Sequence, residues 1–321
     1  MDSQTVAIIM TAYNEECDWI VQCMDSILAQ TYTNFHLYVL LDNPDNEMIK
    51  DVLMSYAKKD SRMAVMVNEE NLGLVASLNK LLGIVNESYI ARMDADDVMM
   101  PSRLAKEMEF MRENSLDFVM SNCDFLYADG TSGKGASIPK LLGEDFNDAE
   151  RYGNVSMHNT WLVKKEVYDK LGGYRMVRHC EDYDFVLRAI QEGYKIGRLD
   201  EALVSYRLRD TSVSAMYAKE QFEKARMLRY LYNKGRKIAD ISPEKFNEKY
   251  SAYTEEEKKA FSDAKNAIDI FCGKLYDGKM PAAAASAAKM LISGREARKL
   301  FVNAMWNNRK LKTVYRKAED K

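Results

Sequence analysis

The sequence predicts an α/β fold, a mostly parallel central sheet flanked by helices, with an α-helical C-terminal extension. Three observations predict it. Short apolar runs alternate with longer helical ones from residue 5 to about 125, the order expected of a parallel sheet covered by helices. The alternation is lost between 124 and 153 and then returns. Beyond residue 210 the pattern is almost wholly helical.

Taken in order, strands are expected over 6–11, 36–41, 64–68, 89–93 and 118–122, each a short apolar run. Helices are expected between them over 18–29, 47–58, 74–85 and 102–113, where apolar residues return every three or four positions. Open sheets of this kind bind ligands at the carboxyl ends of their strands, so the residues after each strand carry the functional interest. The segment 124–153 holds Gly130, Gly133, Gly135, Pro139 and Gly143 and reads as turns and a mobile, lid-like loop. A strand over 160–163, helices over 165–171 and 182–192, and short strands over 195–199 and 203–206 close the core. Helices follow over 218–232, 243–250, 255–276, 281–292 and 295–307. The division expected is a sheet-bearing domain over 1–215 and a helical region over 216–321.

Composition narrows the function classes. The net charge of −3 gives no case for nucleic acid, but residues 280–321 hold ten Lys and Arg against three acids, a local +7 that leaves −10 elsewhere. Five cysteines without a CxxC pair indicate neither a disulfide framework nor a zinc site, which fits a reducing cytoplasm. No apolar run approaches the roughly 20 residues that span a bilayer, and the first residues lack a basic start and a cleavage site. The expected location is therefore cytoplasmic.

The most informative run is Met93-Asp94-Ala95-Asp96-Asp97, at the end of an expected strand. Three carboxylates in four residues repel one another, and a divalent cation, Mn²⁺ or Mg²⁺, makes the arrangement favourable while it neutralises a diphosphate. The competing explanation is a solvated acidic turn. A second cluster, Glu181-Asp182-Tyr183-Asp184, opens a helix. Helix-dipole stabilisation accounts for acids there, and so does a general base, for which Asp182 is the first choice and Glu181 the second. At the first two strand ends, Thr11-Ala12-Tyr13-Asn14-Glu15 and Leu41-Asp42-Asn43 offer an aromatic face and a carboxylate to a nucleotide base, or a packing residue and a turn.

Together these features resemble the inverting glycosyltransferases of family 2, with their Rossmann-like GT-A fold. The resemblance covers residues 5 to about 215 and rests on TAYNE, the Asp42 strand end, Asn71-Leu72-Gly73-Leu74, ARMDADD at 91–97, LGGYR at 171–175 and CEDYDFVLRAIQEGY at 180–194. It implies a nucleotide-sugar donor, UDP first, bound by Thr11, Tyr13, Asn14, Glu15, Asp42, Asn71, Gly73, Arg92, Asp94, Ala95 and Asp96. Asp96 would be the principal metal ligand. Asp182 would be the base of a single in-line displacement that inverts the anomeric carbon. Gly172, Gly173 and Tyr174 would line the acceptor side, although the glycines also suit a helix C-cap. The sequence departs from the family in two places: Asp42 is followed by Asn43 and Pro44, and Tyr206-Arg207-Leu208-Arg209 stands where Tyr-Arg-x-His is frequent. Arg207 and Arg209 could pair with the diphosphate or lie at the surface. His158, grouped with Gly172, Gly173 and Tyr174 on the acceptor side, and His179 fall near the site, and His36 reads as structural.

The acceptor implied is a saccharide or lipid-linked molecule of a bacterial cell-surface polysaccharide or glycolipid. The segment 294–317 mixes apolar residues with eight basic ones and one acid. It suits an anionic membrane on the inner face, or packing on the catalytic domain or a second subunit. Two other functions compete: a sugar nucleotidyltransferase, which would need a Gly-rich basic loop near the start, and a non-catalytic scaffold or regulatory protein on the same fold.

Overall fold

A computed structural model describes residues 4–209, 212, 216–276 and 295–320 of the protein. Among them ten strands form one sheet in the order β3-β2-β1-β4-β9-β6-β10-β5, with β7 beside β6 and β8 beside β10. The long strands are β1 (Val6–Ala12), β2 (Phe35–Leu41), β3 (Met63–Val67), β4 (Tyr89–Asp94), β6 (Phe118–Leu126) and β10 (Ile196–Arg207), and the short β5 (Val98–Met99) follows β4. Strands β1 to β4 pair in parallel. Short β9 (Leu162–Lys164) runs antiparallel to both β4 and β6, so β6, and β10 parallel to it, point the same way as β4. All six long strands therefore end at one edge.

Both faces of this sheet are covered, which explains why its strands read as continuous apolar runs rather than alternating ones. In β1, Val6, Ile8 and Met10 face a core shared with α1 (Cys17–Leu28), α2 (Glu47–Ala57) and α4 (Arg103–Glu113). Ala7 and Ile9 face the other core, with α3 (Leu74–Leu82), α5 (Glu144–Glu150), α6 (Lys165–Leu171) and α7 (Glu181–Gln191). Helix α2 begins where the Asn46 side chain accepts from the Ile49 N–H at 3.2 Å.

Two expectations are corrected. The expected loop over 124–153 carries the end of β6, the strand pairings of β7 (Ser132–Gly133) and β8 (Leu141–Leu142), and α5, whose Phe146 and Ala149 are buried. Two-residue strands and a seven-residue helix are too short to leave a periodic signal. The two strands expected over 195–206 are one strand, β10, with register shifts between Arg198 and Val204 where the chain swings past β6.

Helices α8 (Ala218–Asn233), α9 (Pro243–Ser251), α10 (Glu255–Tyr276) and α11 (Arg295–Glu319) follow. Leu228 of α8 and Phe246 and Tyr250 of α9 share a small core with Tyr183 and Leu187 of α7. Arg175 fixes this region to the sheet domain: it pairs with Asp184 and donates to the carbonyls of Ile238, Ala239 and Ile241. The basic tail is largely one helix, α11. Its Leu311, Val314, Tyr315 and Ala318 pack into the core around α5, and Lys317 reaches Asp145 at 3.3 Å. Its opposite side leaves Val302, Met305 and Trp306 exposed. The helix expected over 281–292 lies outside the described residues. No described helix is long and apolar enough to cross a membrane.

Candidate functional site

A cavity of about 740 Å³ opens at the carboxyl edge of the sheet and brings together Arg92, Asp94, Asp96, His158, Glu181, Asp182 and Arg209. These residues come from β4, the turn after it, the turn ahead of β9, the start of α7 and the segment after β10. Parallel strands deliver the first and last of them, because residues that follow neighbouring parallel strands emerge at the same edge.

The three acids of the Asp94–Asp97 run part company. Asp97 turns inward, where Oδ1 accepts from the Arg207 backbone N–H at 2.7 Å and Oδ2 from the Asn159 amide at 2.5 Å. Asp94 and Asp96 face the cavity. Burial, then the Asp94 charge, pushes the Asp96 carboxyl up to about 6, against the opposing pull of Arg209. Asp94 pairs with the buried Arg92, while Arg209 Nε stands 2.9 Å from Asp96 Oδ2. The acidic run thus turns two carboxylates rather than three toward the cavity, and each already has an arginine beside it. Among the described residues no three His, Cys, Asp or Glu side chains are placed to hold a metal together. Asp94 and Asp96 fit a hard cation that also takes oxygens from a diphosphate and water, the usual habit of Mg²⁺.

Arg207 does not reach the cavity wall. It is buried, donating through Nε to the Asp96 carbonyl at 2.7 Å and through Nη2 to Gln22 at 2.8 Å, with its guanidinium 5.0 Å from the Trp19 ring centroid. Neither expectation for Arg207, diphosphate contact or surface charge, matches that position; it props the acidic turn. Arg209, two residues on, lies 5.9 Å from the same ring and lines the cavity. Arg92 Nε is buried with no hydrogen-bond partner among the described residues, an unspent donor beside the site.

At the far wall Asp182 Oδ1 accepts from the Tyr183 N–H at 2.7 Å and Oδ2 from Asn154 Nδ2 at 3.2 Å. Burial raises its pKa above the ordinary carboxylate value. Glu181 beside it is pushed up to about 7, by burial first and the Asp182 charge second. Asp184 belongs to the fold: its carboxylate is held by Arg175 and by Arg188 at 2.8 Å.

The remaining expected residues divide into two groups. Along the edge beyond the cavity, Asp42 is buried: Oδ1 accepts from Leu72 N at 2.9 Å and from Asn68 Nδ2 at 2.6 Å, and Oδ2 from Gly73 N at 2.8 Å. It therefore shapes the loop that carries Asn71, whose side chain accepts from Gly73 N at 3.0 Å. Tyr13 is exposed, its N–H bound to Glu15 at 2.7 Å, and Asn14 accepts from Asn43 at 2.6 Å. Thr11 lies level with Asp94 on the neighbouring strand, and Ala95 is buried between the two cavity acids. Glu15 is raised by burial and feels the charges of Arg209 and Asp94, which ties this turn to the acids.

In the second group Gly172, Gly173, Tyr174 and His36 lie off the cavity, while His158 and His179 line it. Gly172 and Gly173 end α6 with φ of 70° and 72°, and the Gly173 N–H returns to the Tyr168 carbonyl at 2.9 Å. Tyr174 is buried with its hydroxyl 3.0 Å from Tyr168 and 2.8 Å from His158 Nε2. LGGYR is accordingly a helix cap and a core contact rather than an acceptor wall. His158 reaches the cavity but burial holds its pKa well below the usual value, so it is a neutral hydrogen-bonding partner of Tyr174. His179 stacks on Tyr217 at 3.9 Å with φ of 60°. His36 is half-exposed and pairs with Glu87 at 2.5 Å. Sequence reasoning missed Asn154, Trp19 and Gln22, isolated polar and aromatic residues whose partners are far along the chain.

Residues 7–172 match the family model described as Glycosyl transferase family 2. An uncharacterized glycosyltransferase of Methanocaldococcus jannaschii is 32% identical over 65% of this chain and 72% of its own length. The O-antigen biosynthesis glycosyltransferase WbnJ of Escherichia coli is 30% identical over 70% of this chain and 91% of its own. Among solved structures, S. aureus TarS in complex with UDP superposes with a TM-score of 0.56 at 18% identity, over 76% of this chain and 68% of that one, a likeness of fold. TarS has also been solved with UDP-GlcNAc.

Proposed function

The chain belongs to glycosyl transferase family 2 and is a glycosyltransferase, and from that premise we propose that it moves a sugar from a nucleoside diphosphate, UDP first, to a hydroxyl acceptor with inversion. The observation that carries this reading is the pairing across one cavity of an acid turn with an arginine, Asp94, Asp96 and Arg209, and a half-buried carboxylate, Asp182. The first end suits a diphosphate and the second a proton acceptor.

The division of labour follows from the contacts. Arg209 binds phosphate oxygens, Arg92 holds Asp94 in place, and Tyr13 and the Asp42 loop meet the base. Asp94 and Asp96 would hold a divalent cation, Mn²⁺ or Mg²⁺, which when bound neutralises the diphosphate. Asp182, oriented by Asn154 and the Tyr183 N–H, takes the acceptor proton as the acceptor oxygen bonds to the anomeric carbon. The bond from that carbon to the diphosphate breaks, and its electron pair leaves on the diphosphate oxygen. Glu181 is the second candidate for the base. Residues 1–215 are proposed as the nucleotide-sugar-binding and catalytic domain, and 216–321 as a helical region with a basic amphipathic tail. The names of relatives such as WbnJ support a role in polysaccharide synthesis. Val302, Met305 and Trp306, exposed among basic residues on α11, support a peripheral contact with an anionic membrane or a second subunit.

A melting panel of UDP, GDP, dTDP and CMP, each with Mn²⁺, Mg²⁺ or EDTA, tests the donor. A ligand of the folded state raises the melting temperature. UDP with a divalent ion is expected to raise it and EDTA to cancel the rise; no shift with any nucleotide would overturn the donor assignment.

A further inference from the structure

The cavity does not end at the sheet edge. It continues between α8, α10 and α11, where Asn303, Asn307 and Asn308 line it together with Phe222, Phe261 and Leu300. Asn303 and Asn307 are one turn apart on α11 and so share a face. None of the three amides has a hydrogen-bond partner among the described residues. Helix α11 is seated against the segment that orients the proposed base. The Trp306 ring lies 5.6 Å from that of Tyr152, Leu311 comes within 3.4 Å of where a Cβ on Gly153 would stand, and Asn154 follows directly, donating to Asp182.

We propose that this asparagine face of α11 is the acceptor subsite and that it recognises a carbohydrate through its hydroxyls. The proposal rests on the transferase reading above. A carboxamide both donates and accepts, as a sugar hydroxyl does, and carries no charge, so a row of amides matches adjacent hydroxyls. The half-buried Phe222 ring, backed by the buried Phe261 ring 5.4 Å away, offers an apolar surface to the C–H face of a sugar. A purely aliphatic occupant would instead strand three amides without partners, which is costly once water is displaced. The subsite lies outside the residues that match the family, so acceptor choice would belong to this chain's helical region.

The test measures UDP release from a UDP-sugar that shifts the melting temperature, with a set of nitrophenyl mono- and disaccharide glycosides as acceptors. A double variant, Asn303→Ala with Asn307→Ala, is compared with the unaltered protein, and Asn307→Gln tests rescue. The expected result is at least one glycoside that accelerates release, with a KM raised tenfold or more in the double variant, kcat less affected, and partial recovery with glutamine. The UDP-induced melting shift should persist in both variants, which shows that they fold and bind donor. An unchanged acceptor KM would overturn the proposal, and so would a UDP-binding protein that no glycoside accelerates. Absence of binding by every nucleotide in the melting panel in the unaltered protein would remove the donor reading on which this proposal rests, and this proposal with it.

Discussion

At the scale of single residues, neighbours in space decide what each acid does. Asp94, Asp96 and Asp97 look alike in sequence, yet two face the cavity and the third is consumed by Asn159 and the Arg207 N–H. The acids themselves were legible because they are contiguous. Their partners were not, since Arg209 and Asn159 lie far along the chain and nothing local marks them. The same holds for Glu150, a fully buried carboxyl that accepts from the Val155 N–H at 3.1 Å, with its pKa pushed up from 4.5 to about 8 by burial. A carboxyl raised in this way favours the folded state while it is protonated. That contribution is fully present below the ordinary value near 4.5 and is lost as pH rises to about 8. Glu150→Gln keeps the shape and cannot ionise. It is expected to gain on the unaltered protein by roughly a few kcal/mol between pH 6 and pH 9 in urea unfolding; a difference that stays constant with pH would show that Glu150 is not held protonated.

At the scale of elements, long periodic segments were legible and short ones were not. The five strands from β1 to β6 that alternate with helices, together with α1 to α4, follow the apolar spacing closely, because burial on both sheet faces writes itself into every position. The antiparallel insertion of β9 between β4 and β6 left no such trace: strand direction depends on partners rather than on a three-residue run. LGGYR shows a different limit. Two glycines fit a ligand wall and a helix cap equally on composition, and only the backbone separates them. At Gly173 a Cβ would stand 2.5 Å from Asn79 Oδ1 with φ at 72°, whereas Gly172 has nothing within 4 Å at a φ of 70°. Gly173→Ala is expected to cost about 2–3 kcal/mol and Gly172→Ala about 1 kcal/mol, in each case from strain in the left-handed region and for Gly173 also from the displaced Asn79. Equal losses in denaturant unfolding would show that Asn79 moves aside freely.

At the scale of the whole molecule, the sheet domain and the helical region build one cavity between them. The first half of that cavity was legible, since its acids sit at strand ends and a helix start. The second half was not, because α8, α10 and α11 reach it through contacts that span most of the chain, and their amphipathic pattern states that they pack without stating where. The basic tail illustrates the point: its apolar positions at Leu311 and Val314 serve the core near α5, while Val302 and Trp306 remain outside. Asp182 is the group on which proton removal from the acceptor depends. The most direct measurement is sugar transfer by Asp182→Asn beside UDP binding by the same variant. Turnover is expected to fall by roughly 10²–10⁴-fold with UDP affinity unchanged; turnover within twofold of the unaltered protein would remove Asp182 from that role.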